Sequence, residues 1–238
     1  MDSKIITSGF RWVFVGVLLI AGCQSQAPRL PLYIGQVQGL SDAQGHRPQS
    51  LPSPISIVGV MVITDSSLPN AAPSLSPAMV EILENRLVKN MDEFFALQVK
   101  VVRSEPPLQP TGDVTSLTHL AKSYNLDFML LAILSSTEIE SHIEIGEETM
   151  MTRMSGVEIE NEGKAELALL HADSGHMALH AEGHGSSSME QLEVPIGGDY
   201  PRKEDAKDIL RAKAAEKALD QALLSLQRQW GRSLVIGG

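Results

Sequence analysis

The sequence predicts an α/β domain with a mixed sheet of about five to six strands and helices packed on it. Two observations predict this class. From residue 55 onward, short aliphatic and β-branched runs alternate with stretches in which apolar residues recur every three or four positions. Beyond residue 135, strand-like runs follow one another with only turn residues between them, as in antiparallel sheets. The expected order is βαβαβ, then antiparallel strands and a long C-terminal helix.

The first strand and helix have the clearest signals. Ile55 to Asp65 is a nearly continuous apolar run, typical of a strand buried on both faces. Ser76 and Pro77 then predict an N-cap and a first helical residue. The helix of about five turns that follows has one apolar stripe, formed by Met79, Leu83, Leu87, Met91 and Phe94.

The next elements continue the alternation of strand and helix. A second strand is predicted at Leu97 to Val102 and a turn-rich loop at Pro106 to Gly112. A short amphipathic helix runs from Val114 to Asn125, and Asp127 to Ser135 is a third strand. Strands separated by helices favour parallel pairing.

The second half has strand patterns without intervening helices. Thr137 to Ile145 alternates isoleucine with polar residues and extends the third strand as a half-exposed strand. Gly163 to Ala172 and His176 to Ser186 form a hairpin around Asp173-Ser174-Gly175. The last helix, Lys203 to Trp230, has one apolar stripe, formed by Ile209, Ala212, Leu219, Leu223, Leu226 and Trp230. Its basic residues alternate with acids and predict a solvated face: Arg202, Lys203, Lys207, Arg211, Lys213 and Lys217.

The N-terminus has the features of a secretion signal. Lys4 and Arg11 precede an apolar run from Trp12 to Ala21. The run is shorter than the roughly 20 residues that a transmembrane helix needs, so residues 1–22 are predicted to be a cleaved signal peptide.

The end of this signal, Leu19-Ile20-Ala21-Gly22-Cys23, resembles the lipobox of bacterial lipoproteins. The resemblance implies that Cys23 is lipidated, palmitate included, and becomes the mature N-terminus. Gln24 stands where an aspartate favours inner-membrane retention, which implies an outer-membrane lipoprotein on the periplasmic side, with surface exposure left open. Cys23 is the only cysteine, so no internal disulfide can form.

The composition divides the rest of the chain into two regions. Residues 23–54 combine the lipidated cysteine with a stretch rich in Gln, Pro, Ser and Gly, which predicts a flexible tether. Docking of Leu30 to Gln38 on the domain remains an alternative. Residues 55–238 form a single α/β periplasmic domain. The net charge of −10 argues against nucleic-acid binding, which draws its affinity from Lys and Arg.

Four residues are candidate metal ligands: His171, His180, Glu182 and His184. Side chains two apart on a strand point to the same face. Positions four apart are about 13 Å from each other, so neighbours could share one ion but all four could not. The other interpretation is the polar face of a half-buried sheet, with Met177, Leu179 and Ala181 on the core face.

Catalytic motifs are not found in the sequence. It contains no nucleophile elbow, no HExxH, no phosphate-binding loop and no GxGxxG. An envelope hydrolase would need a cleft with perturbed carboxylates. We therefore expect a protein that is not an enzyme and needs no cofactor.

The order of elements resembles the periplasmic domain shared by curli-secretion and penicillin-binding-protein activator lipoproteins, the CsgG and LpoB type. The segments that carry the resemblance are Ile55 to Asp65, Leu117 to Leu134, Ala165 to Glu182 and the Ala-rich last helix. Residues 136–163 are too acidic for a lipid-facing hairpin of the curli type, which disfavours a pore. The resemblance implies either rings or a tethered monomer, so a homo-oligomer remains open.

These observations predict an outer-membrane-anchored periplasmic lipoprotein that acts as a non-enzymatic binding, assembly or regulatory factor. Its partners would be the outer membrane, through the N-terminal lipid, and an unidentified envelope protein. The alternative is a metal-binding lipoprotein that uses the strand region of His171, His180 and His184.

Overall fold

The computed structural model describes residues 27–35, 51–67, 71–105, 108–110, 112–145, 154–192 and 203–236. These residues form one five-stranded mixed sheet with helices on both faces. The helices are α1 (Leu30–Ile34), α2 (Pro77–Phe95), α3 (Thr115–Ser123) and α4 (Lys203–Ile236). The strands are β1 (Ile57–Asp65), β2 (Gln98–Val101), β3 (Phe128–Ile145), β4 (Met154–His171) and β5 (Met177–Leu192).

The strand order β2-β1-β3-β4-β5 confirms the predicted α/β class. β1 lies between β2 and β3 and is parallel to both. β3, β4 and β5 are antiparallel neighbours. The parallel part therefore comes from the strand-helix alternation, and the antiparallel part from the run of consecutive strands.

The core has two layers, one on each face of the sheet. On the first face, β1 and β3 to β5 bury aliphatic residues against α2 and α4. On the second face, alternate residues of the strands pack against α1 and α3. Because both faces of the central strands are covered, β1 up to Ile63 and the first part of β3 are almost entirely apolar, as the sequence predicted.

Two apolar stripes differ from the prediction at their ends. Phe94 is 69% exposed, whereas Phe95 contacts Trp230 of α4 edge to face. In α4, Ile209 is exposed and Leu210 is buried, because the helix lies across the sheet with Ala214, Ala218 and Ala222 against it. Ser76 stands at the N-cap of α2, but its side chain makes no capping hydrogen bond; its carbonyl accepts the N–H of Val80.

Part of the basic face predicted to be solvated is buried instead. Arg211 is 4% exposed and donates to Glu138 of β3 at 3.1 Å and to Asp208 at 2.5 Å. Lys207 donates to Glu138 at 2.7 Å and lies 3.1 Å from Glu140. Because β3 extends past the core, its glutamates reach the N-terminal half of α4 and pair with these cations.

Helix α4 also protects the outer edge of the sheet. β5 is the edge strand, and such strands expose unpaired backbone groups. Gln221 Oε1 accepts the backbone N–H of His184 at 2.5 Å, and Lys217 donates to the carbonyl of Ser186 at 2.7 Å. The edge is thereby capped by side chains of the same chain.

Within the described part of the chain, no helix is both long enough and apolar enough to cross a membrane. Residues 1–22, Cys23 and Gln24 lie outside the described residues. The predicted signal peptide and lipidation site therefore remain predictions.

Candidate functional site

A cavity lies where β1 and β2 end. The chain leaves β1 towards α2 on the first face and leaves β2 towards α3 on the second face, which opens a crevice between the two connections. In open α/β sheets, ligands bind at such switch points outside the carboxyl ends of the strands. The groove here has a volume of about 930 Å³ and is bounded by the end of β1, the start of α2 and residues 102–105.

Carboxylates dominate the polar lining of this groove. Asp65, Glu81, Glu84 and Glu105 line it together with Arg103. Glu84 is buried and accepts a hydrogen bond from Arg103 Nη2 at 2.9 Å, which raises the pKa of Arg103. The remaining carboxylates leave the groove acidic, so it suits a cationic ligand.

Asp65 closes the inner end of the groove. It is 4% exposed; its Oδ1 accepts the N–H of Ser67 at 2.7 Å, while its buried Oδ2 has no hydrogen-bond partner. Tyr33 of α1 lines the same groove. Burial, reinforced by the charge of Asp65, raises the pKa of Tyr33 to about 12.

The segment around α1 is part of the domain. Leu30, Tyr33 and Ile34 are buried in the second-face layer, which is the docked arrangement that the sequence left open for this part of the predicted tether. Glu166 Oε2 accepts the backbone N–H groups of Arg29 at 2.5 Å and of Leu30 at 3.2 Å. A buried carboxylate of β4 therefore holds the N-terminus of α1.

At its other end, this segment is fixed by glycine geometry. Gly35 has φ of +75°, and the N–H of Gly112 donates to the carbonyl of Leu32 at 2.6 Å. A Cβ on Gly35 would lie 2.5 Å from the carbonyl oxygen of Gly112, so only glycine allows this approach.

Beside Glu166 lies a cluster of donor atoms on the second face. Glu166 stands opposite Glu182 in the β4–β5 ladder, and His180 precedes Glu182 on the same face of β5. One donor atom from each of these three residues lies within 4.8 Å of the others. Lys164 Nζ is 3.5 Å from Glu166 Oε1 and 3.4 Å from Glu182 Oε2.

The structure brings together only two of the four predicted metal ligands. His180 Nε2 and Glu182 Oε1 are 3.6 Å apart. His184 is exposed and lies opposite Lys164, two ladder pairs from Glu166 and Glu182. His171 stands at the far end of β4 against Phe128, with ring centroids 4.6 Å apart. Burial, and then the charge of His176, lower its pKa.

Sequence reasoning missed Glu166 as a member of this cluster. The hairpin turn alone would pair it with Ala181, but the pairing shifts by one residue between Leu169 and Leu170. This bulge turns Met177 to the second face, although the sequence placed it with Leu179 and Ala181. A bulge has no reliable sequence signal, so the cross-strand partner of Glu182 could not be predicted.

The described residues thus form a small α/β domain with an acidic groove and a partly buried carboxylate-histidine cluster. No protein-family model matches the chain, and no curated protein matches it. Three solved structures illustrate what the fold is similar to.

The first is a neuraminyllactose-binding hemagglutinin homolog from Helicobacter pylori, with 12% identity, 80% of this chain and 98% of the other covered, and a TM-score of 0.41. The LpoB C-terminal domain from Salmonella enterica has 13% identity, covers 54% and 81%, and has a TM-score of 0.28. Lipoprotein GNA1162 from Neisseria meningitidis has 9% identity, covers 66% and 94%, and has a TM-score of 0.23. Bacterial lipoproteins are thus among the similar structures, but the likeness says nothing about what this chain binds.

Proposed function

We propose that this chain is a non-enzymatic lipoprotein, anchored by lipid at Cys23 to the periplasmic side of the outer membrane, whose domain binds an envelope protein. The observation that carries the proposal is the docking of α1 so soon after the predicted lipidation site. Leu30, Tyr33 and Ile34 are core residues, and Glu166 holds the first backbone amides of the segment. Because the segment is packed into the domain, a lipid at Cys23 would hold the domain close to the membrane.

The spacing makes the anchor short. The six residue steps from Cys23 to Arg29 span at most about 20 Å when fully extended. The second face, on which α1 docks, would therefore stay near the lipid head groups, and Tyr33 of α1 also lines the groove. A factor held this close would act on a partner that is itself at the membrane surface.

The groove is the proposed partner site. Its four carboxylates and single guanidinium favour a basic segment of the partner over an acidic one. Its lining contains half-buried apolar side chains as well, among them Val62, Ile63 and Val80, which would cover the stem of a lysine or arginine. Binding of a protein segment explains both features without a catalytic step.

Fractionation of cells tests the anchor. The unaltered chain should sediment with outer membranes, and a Cys23→Ala variant should not. Sedimentation of the variant with outer membranes at the same yield would contradict lipid anchoring.

Site-specific photocrosslinking tests the partner site. A benzoylphenylalanine at the exposed groove residue Glu81 should give a discrete adduct with one envelope protein in living cells. The matched control is Glu93, which is also exposed, lies further along α2 and is not among the residues that line the groove. Adducts of the same pattern from both positions, or none from Glu81, would argue against the groove. Light scattering in mild detergent then separates a ring-forming assembly from a monomer.

A further inference from the structure

The donor atoms beside α1 form a site that the proposed function does not use. Two buried atoms, Glu166 Oε1 and His180 Nε2, accept no hydrogen bond from the described residues; Glu166 Oε1 has only the ammonium of Lys164 nearby, at 3.5 Å. Glu166 is 1% exposed, so bulk water does not freely reach this oxygen. A buried polar atom without a partner is costly and is normally satisfied by a donor, a water or an ion.

The chemistry of the donor set points to a transition-metal cation. An imidazole nitrogen and two carboxylate oxygens are ligands that zinc accepts, whereas calcium and magnesium are bound by oxygen atoms alone. His180 Nε2 and Glu182 Oε1 are 3.6 Å apart, and the three donors lie within 4.8 Å of one another. Tetrahedral ligands about 2.0–2.2 Å from a zinc ion are about 3.3–3.6 Å apart, so the His180–Glu182 distance already fits, and the donors that are further apart would move closer on binding.

We propose that Glu166, His180 and Glu182 bind a divalent first-row transition cation, for which zinc is the probe, directly beneath the docked segment. The two carboxylates and Lys164 leave a net negative charge in the cluster, so a dication is compatible with it. Three protein ligands leave a fourth position for water. This inference does not depend on the proposed partner or on the lipid.

Lys164 is the competitor of the cation. Its ammonium group lies 3.5 Å from Glu166 Oε1 and 3.4 Å from Glu182 Oε2, two of the carboxylates that would bind the metal. Binding therefore requires the ammonium to move aside. Replacing Lys164 with methionine, which keeps the length and removes the charge, should strengthen zinc binding at least about tenfold.

The cation would also act on the anchor segment. Glu166 offers Oε1 to the cluster while its Oε2 accepts the N–H groups of Arg29 and Leu30. A metal ion bound to Glu166 Oε1 would immobilise the carboxylate, and with it the Oε2 atom that accepts both backbone N–H groups. The metal and the docked segment thus share one side chain.

Zinc affinity is measured on the full chain in detergent, with Cys23→Ser to remove the only thiol, by competition with a chromophoric chelator. His180→Ala and Glu166→Gln should each weaken binding at least about tenfold. Glu166→Gln retains an oxygen for the amides of α1, which keeps the variant folded. His184→Ala and His171→Ala are matched controls, because both histidines lie outside the cluster, and they should leave the affinity unchanged.

Hydrogen exchange gives a second readout that a surface site would not change. Zinc should slow exchange at the amides of Arg29 and Leu30 in the unaltered domain and have no such effect in His180→Ala. Calcium should have no effect on either. Zinc binding weaker than about millimolar, equal losses in His180→Ala and His184→Ala, or exchange at Arg29 and Leu30 that ignores zinc would each overturn the proposal. None of these results bears on crosslinking at Glu81, so the two proposals fail separately.

Discussion

Tyr33 reports on the docked segment because its phenol lies in the second-face layer next to Asp65. The unfolded phenol ionises near pH 10, and burial raises the pKa in the fold to about 12. Between these values the unfolded chain loses its proton before the folded chain does. The free energy of unfolding should therefore fall as pH rises from 10 to 12.

This behaviour predicts that Tyr33 loses its proton well above pH 10. In an absorbance titration of tyrosinate, one residue should ionise only near pH 12, or jump with alkaline unfolding, and Tyr33→Phe should remove that phase. Three tyrosines that titrate together near pH 10 would show that Tyr33 is in water.

Glu138 makes the stability of the fold depend on pH in the acid range, as Tyr33 does in the alkaline range. Burial raises its pKa, but hydrogen bonds and charges from Lys207 and Arg211 outweigh burial and hold it below the ordinary value of 4.5. Its contribution to stability is therefore present above pH 4.5 and is lost as pH falls through the folded pKa.

We expect Glu138→Gln to lower the free energy of unfolding at pH 7 and to weaken its dependence on pH below 4.5. Urea unfolding at a series of pH values measures both effects. Glu160→Gln, an exposed position on the neighbouring strand, is the control and should change neither. If the free energy of unfolding depended on pH below 4.5 in the same way in both variants, the ion pairs of Glu138 with Lys207 and Arg211 would not stabilise the fold.

Among the elements, the contact of α4 with the sheet depends on glycines and alanines. Gly163, Gly183 and Gly185 face Ala214 and Ala218, and a Cβ on Gly183 would lie 2.1 Å from the carbonyl oxygen of Ala218. Backbone meets backbone at this contact, so no flexible side chain can yield. The helix is also tied to α2 by Arg86, whose Nε and Nη2 donate to Asp220 at 2.8 and 2.7 Å.

Gly183→Ala should therefore destabilise the protein by about 1–3 kcal/mol, the usual cost of overpacking. Gly231→Ala in the same helix α4 is the control, because a Cβ there meets nothing within 4 Å. It should stabilise by up to about 1 kcal/mol through helix propensity. Thermal unfolding should show a lower midpoint for Gly183→Ala and an unchanged or higher one for Gly231→Ala. An unchanged midpoint for Gly183→Ala would mean that α4 can shift away from the sheet.

At the scale of the whole molecule, α1 connects the N-terminal segment with a strand that is distant in sequence. Glu166 of β4 accepts hydrogen bonds from the backbone N–H groups of Arg29 and Leu30 at the start of α1. Leu30 is 2% exposed, whereas Leu32 of the same helix is 37% exposed. The segment is thus a structural part of the domain, and its loss would open the second-face core.

Leu30→Ala should lower the free energy of unfolding by about 2–5 kcal/mol, because it leaves a cavity in that core. Leu32→Ala, with the same chemical change on the open side, should cost far less. Urea unfolding of the two variants makes the comparison. Similar small effects would show that α1 contributes little to the stability of the domain.

Sequence patterns predicted the individual helices and strands better than they predicted how these elements pair and pack. The continuous run at β1 and the Ser76-Pro77 start of α2 gave correct elements, because local burial and backbone geometry leave local signals. The candidate site was reached only in part: His180 and Glu182 were identified, while Glu166 was missed and His171 and His184 lie elsewhere. The register of the β4–β5 pairing decides which side chains lie next to each other, and a single bulge changes that register.

The sequence by itself determined the α/β class, the parallel first half, the antiparallel second half and the long last helix, since periodicity and turn residues are local properties. Only the tertiary structure decided that α1 docks, that Lys207 and Arg211 are buried by Glu138, and which donors gather around Glu166. Each of these depends on residues far apart in the chain, whose proximity is set by strand order, register and helix packing and leaves no pattern in any single segment.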